Sequence, residues 1–77
     1  MGYTARMTTK LLTVPDISCS HCEHAITRAL QPLAGVESVQ VDIPGRLVTV
    51  VYDEQRIGIE RIKGVLAEED YPVAAAT

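Results

Sequence analysis

Four apolar residues early in this 77-residue chain, Leu12, Val14, Ile26 and Leu30, recur 36 positions later as Val48, Val50, Ile62 and Leu66. Each set holds one pair at strand spacing and one at helical spacing, so the chain reads as a strand-helix unit written twice. Leu12 and Val14, with Thr13 between them, make a short strand that stops at Pro15, which has no N–H to extend a ladder. Ser20 and Glu23 have capping-box spacing, and behind them come Cys22, Ile26, Ala29, Leu30 and Leu33. That pattern predicts a helix that starts between the two cysteines and ends near Gln31, ahead of Pro32 and Gly35.

Val39, Val41 and Ile43 alternate with Ser38, Gln40 and Asp42. Pro44-Gly45 suits the centre of a type II turn leading into a strand from Leu47 to Asp53, with Val48 and Val50 toward the core. Ile59, Ile62, Val65 and Leu66 mark a second helix, capped by Gly58, that runs out among Glu68, Glu69 and Asp70. Tyr71-Pro72-Val73 suits a last, edge strand. Strand, helix, strand, strand, helix, strand is the order of the ferredoxin-like βαββαβ sandwich, an α+β fold with a four-stranded antiparallel sheet and two helices on one face. Its first and last strands are neighbours. The turn after strand one therefore meets the turn after helix two, and Tyr71 is expected beside Cys19 and Cys22.

A chain this short supports one core, because it buries only about 60% of the surface its unfolded form exposes. Ten acidic against seven basic residues give a net charge of −3, and with no Trp or Phe this argues against a nucleic-acid surface. No apolar run approaches the roughly 20 residues of a bilayer span, so the chain is not expected to be membrane-embedded. Residues 1 to 10 lack the apolar region of a signal peptide, which points to the cytoplasm. The two cysteines are only three apart and cannot staple distant segments, so their thiols are free for chemistry.

A cysteine at a helix start meets the positive end of the macrodipole, which lowers its pKa from about 8.5 toward roughly 3.5 to 7.5. Two adjacent thiolates repel each other, and a soft cation between them resolves that conflict. Cu(I) fits two sulfurs in a near-linear arrangement, whereas structural zinc wants four ligands. His21 and His24 could add imidazoles, and Asp16, Glu23 and Asp70 could add oxygens for a harder ion.

Asp16-Ile17-Ser18-Cys19-Ser20-His21-Cys22, followed by Ala25-Ile26 and, past the helix, by Gly35-Val36, resembles the heavy-metal-associated domain of copper chaperones and copper-transporting P-type ATPases. The likeness runs from about Lys10 to Val73, so residues 9–77 read as such a domain behind a flexible tail over residues 1–8. It implies that Cys19 and Cys22 hold Cu(I), that Tyr71 lies beside the metal, and that the cargo passes to the metal-binding domain of a copper-transporting P-type ATPase. Asp16-Ile17 replaces the family's Gly-Met, and Ile17 is expected to pack beneath the loop as that methionine does. The segment before Tyr71 lacks the usual glycine, so the approach to the phenol is expected to change. Zinc-selective relatives often carry a carboxylate immediately before the first cysteine, where this chain has Ser18.

A thiol-disulfide oxidoreductase is the main alternative, since thioredoxin-like enzymes also place C-x-x-C at a helix start. Ile17-Ser18 and Ser20-His21 lack the aromatic and the proline that such enzymes put before and within the motif. A metal-binding regulatory domain for another soft ion is a further alternative. His21 reads as a solvated residue beside the thiols, or as a third donor where two molecules share metal in a copper-bridged homodimer.

Overall fold

The computed structural model describes residues 7–77. In chain order the elements are β1 (Met7–Thr13), α1 (Ser20–Leu30), β2 (Val36–Asp42), β3 (Leu47–Asp53), α2 (Ile59–Glu68) and β4 (Ala75–Ala76). The sheet order is β2-β3-β1-β4 and every pairing is antiparallel, which is the expected ferredoxin-like sandwich. All eight residues of the doubled pattern are fully buried. Leu12 and Val48 are direct partners across the two central strands, so the halves of the repeat meet at the middle of the sheet. Ile26 and Leu30 of α1 and Ile62 and Leu66 of α2 close over Leu12, Val48 and Val50 in one cluster. Removing each such side chain from water contributes about 1.5–3 kcal/mol, and this shared burial holds both helices to the sheet.

Four local expectations are corrected. β1 has seven residues and starts at Met7, within the stretch read as a tail; residues 1–6 of that tail lie outside the described residues. Its alternation is inverted. Thr8 and Lys10 share the core-facing side with Leu12, while Met7 and Leu11 stand 45% and 43% exposed. The Thr8 hydroxyl donates to Glu54 Oε2 at 2.6 Å, which gives this polar inward position a partner.

The Pro44-Gly45 pair does occupy the turn centre, with Arg46 N–H donating to Ile43 O at 3.2 Å, but the turn is not type II. The left-handed residue is Arg46, at φ 56°, and not Gly45. The last strand is Ala75–Ala76 and not Tyr71–Val73. Tyr71 N–H is already bonded to Leu66 O and Pro72 has no N–H, so pairing with β1 begins only at Ala74 N–H to Thr13 O. The fourth difference is at the start of α1, where Cys19 and not Ser20 is the N-cap.

Gly35 carries the chain from α1 into β2 at φ +99°, and its carbonyl accepts the Asp53 N–H at 2.7 Å. A Cβ there would sit 2.8 Å from Ile57 Cγ2 and 2.9 Å from Arg56 Cβ. Gly35→Ala is therefore expected to lower unfolding free energy by about 2 kcal/mol or more, through combined steric and backbone strain. Urea denaturation measures this, and an unchanged midpoint would contradict it.

Candidate metal centre

The turn between Val14 and Ser20 sits at one end of the sheet, and two buried anchors hold it. Val14 N–H donates to Arg46 O at 2.9 Å, and Ile17 N–H turns back to Val14 O at 3.2 Å. Ile17 is 1% exposed, so this branched side chain does fill the space beneath the loop. Past it, Ser18, Cys19 and Ser20 face solvent.

α1 starts between the cysteines, but Ser20 does not cap it. Cys19 is the N-cap, with extended backbone at φ −160° and ψ 177° and no side-chain capping bond. Ser20 is instead the first helical residue, one position too late for a capping box with Glu23. The pair that takes the N-cap and third helical positions is Cys19 and Cys22 themselves. Cys19 O accepts the N–H groups of Cys22 at 3.0 Å and Glu23 at 3.4 Å, which closes the first turn and brings the two side chains to the same end of the helix.

Their sulfurs lie 4.0 Å apart. Cys19 is exposed, whereas Cys22 is 6% exposed and begins the buried stripe of Ile26 and Leu30. The Cys22 sulfur receives the Ser18 N–H at 3.4 Å, lies 3.8 Å from Ser18 Oγ, and in its thiol form donates toward Asp16 O at 3.8 Å. Tyr71 is half-buried and packs against the core cluster that includes Cys22.

The Cys22 thiol is lowered from an ordinary value near 9 to about 6. The Tyr71 hydroxyl is the largest cause, followed by the backbone N–H groups of Ser18 and Cys19, and together they outweigh the partial burial that opposes them. Of these donors, Ser18 N–H makes a hydrogen bond to the sulfur at 3.4 Å. In return Tyr71 is raised to about 12, first by its interaction with Cys22 and then by burial. At neutral pH this describes a thiolate beside a protonated phenol.

The structure thus brings Cys19, Cys22 and Tyr71 together, as the topology predicts. His21 and His24 are both exposed, and among the described residues no group of three or more His, Cys, Asp or Glu converges on one point. Ser18 is the participant that motif reading does not reveal. Its contribution is largely a backbone N–H, and the only sequence signal for it is its place immediately before Cys19.

Residues 11–72 match the model of the heavy-metal-associated domain. The chain belongs to that family. Among relatives, this heavy-metal-associated domain is 39% identical over 67 residues to the copper chaperone CopZ of Staphylococcus haemolyticus, covering 87% of this chain and 98% of that one. Among solved structures, the putative copper-ion-binding protein of Bacillus anthracis superposes with a TM-score of 0.86 at 31% identity, covering 91% of this chain and 99% of the other. Oxidized MerP of Ralstonia metallidurans superposes at 0.84 with 26% identity, covering 90% and 96%.

The lowered thiol sets a pH dependence for the metal-free, reduced domain. Folding depresses the Cys22 pKa, so the thiolate stabilises the fold fully above about 9, and this contribution disappears as pH falls through about 6. Melting temperature should therefore rise between pH 6 and pH 9. The Tyr71→Phe variant should show a smaller rise over the same window, and an equal slope in both proteins would contradict the role given to the hydroxyl.

Proposed function

We propose that this chain is a copper(I) chaperone that carries one Cu(I) between Cys19 and Cys22 as a bis-thiolate and passes it to the metal-binding domain of a copper-transporting P-type ATPase. Fold alone does not assign a function, so the reading rests on the site. The observation that carries it is the pair of sulfurs 4.0 Å apart at the start of α1, one open to solvent and one held in the core. A metal-thiolate bond is about 2.3 Å long in zinc sites, so a single ion can bridge two sulfurs at that spacing with little movement. Two thiolates, with no third His, Cys, Asp or Glu converging on them among the described residues, suit a soft monovalent ion that accepts two ligands. The similarity to CopZ, named as a copper chaperone, favours copper over other soft ions.

Transfer needs no covalent catalysis, and the chain is not an enzyme on this reading. A partner thiolate adds to the bound copper and makes it three-coordinate. One of the original sulfurs then leaves, and a second exchange completes delivery without free ion. Cys19, being exposed, is the sulfur that releases first and admits the partner, while Cys22 holds the ion until the second step. His21 stays a solvated neighbour in the monomer and is within reach of copper only where two molecules share metal as a bridged homodimer. The chaperone works in the cytoplasm, and no helix among the described residues is long and apolar enough to cross a membrane.

Anaerobic competition with a tight Cu(I) chelator tests the proposal. The reduced protein should take up about one ion per monomer, and Cys19→Ser or Cys22→Ser should each abolish competitive binding because one sulfur cannot satisfy a two-coordinate ion. Full retention of copper by either variant would refute the bis-thiolate. Rapid, metal-independent turnover of a standard disulfide substrate would instead favour the oxidoreductase.

A further inference from the structure

We infer that Asp70 is a positioning residue: by holding a left-handed backbone conformation at the end of α2, it sets Tyr71 against the core cluster that holds Cys22, the buried member of the metal pair. The proposal concerns a residue outside the thiol motif, and its transfer arm rests on the copper reading above.

The geometry is that of a helix terminator. α2 ends at Glu68 and its C-cap is Glu69. Asp70 follows at φ 68°. Tyr71 N–H then reaches back to Leu66 O at 2.8 Å, and Asp70 N–H to Ala67 O at 3.1 Å. These two bonds make up a Schellman motif, whose left-handed position is usually glycine and which aspartate is one of the few other residues to tolerate. The missing glycine therefore does not redirect the chain, because Asp70 takes up the conformation that glycine would.

Two consequences follow for Tyr71. Its N–H is tied to the carbonyl of Leu66, a fully buried core residue, so its backbone is fixed relative to the core that also contains Cys22. On its other side Pro72 restricts it to extended conformations. Pinned from both directions, the Tyr71 side chain packs against the core cluster that contains Cys22. Asp70 is itself exposed, so its contribution comes through the backbone.

Conformation and charge can be separated by substitution. Gly and Asn both accept the left-handed region without the carboxylate, whereas Val resists it strongly and Ala moderately. The first arm uses the reduced, metal-free full chain and reads the nuclear Overhauser contact between the Tyr71 ring and the Cys22 Cβ protons. The contact should persist in Asp70→Gly and Asp70→Asn and vanish in Asp70→Val, with Asp70→Ala taking its place if the valine variant does not fold. Persistence in the valine or alanine variant, or loss in the asparagine variant, would overturn the proposal.

The second arm measures the rate at which the Cu(I)-loaded protein gives up its ion to a colorimetric chelator. Asp70→Val should speed release about fivefold, the equivalent of one hydrogen bond of about 1 kcal/mol. Tyr71→Ala should do the same, and the double variant should be no faster than Tyr71→Ala alone. Additive acceleration in the double variant would show that Asp70 acts without the tyrosine and would overturn the proposal. A wild-type protein that holds no copper would refute the chaperone reading, while the first arm would still decide the role of Asp70.

Discussion

The site depends on Cys22 belonging to two environments at once. Its Cβ lies on the buried stripe of α1 with Ile26 and Leu30, and its sulfur meets the loop through Ser18 N–H. A side chain anchored this way is placed by the packing of the whole domain. Cys19 has the opposite character: it is the N-cap, outside the helix, extended and exposed. Three residues of separation thus convert two chemically identical thiols into an anchor and a gate. That asymmetry gives the proposed transfer its order, because the partner reaches the solvent-facing sulfur while the buried one retains the ion.

The doubled sheet provides the rigid frame. Because β1 and β4 are neighbours, the turn that follows β1 and the turn that ends α2 come to the same end of the molecule. The first turn brings the thiols, and the second brings Tyr71. Leu66 links them, since its side chain is in the common core and its carbonyl holds the Tyr71 N–H. The hydrophobic repeat and the phenol beside the sulfur are therefore consequences of one arrangement.

Much of this could be read from the residues in order. The recurring apolar set identifies core positions because burial is an alternation problem, and all eight prove fully buried. The place of the α1 start between the cysteines and the approach of Tyr71 follow from pattern and topology, although the N-cap is Cys19 and not Ser20. The misreadings share a cause: each involves a backbone group or an inverted pattern that side-chain type does not report. β1 conceals its length by facing Thr8 and Lys10 inward and Met7 and Leu11 outward. The turn after β2 assigns its left-handed residue to Arg46 although a glycine stands beside it. β4 is displaced because the Tyr71 N–H is committed to Leu66, and Asp70 shows its glycine-like role only through φ. Ser18 contributes an N–H, which every residue except proline possesses.

Copper carriage by this domain turns on the coordination at the pair of sulfurs. X-ray absorption on the anaerobically loaded protein reads it directly. The proposed function predicts monovalent copper with a first shell of two sulfur neighbours, and no bound copper in either the Cys19→Ser or the Cys22→Ser variant. A first shell containing nitrogen or oxygen donors in the monomer, or divalent copper under reducing conditions, would contradict it.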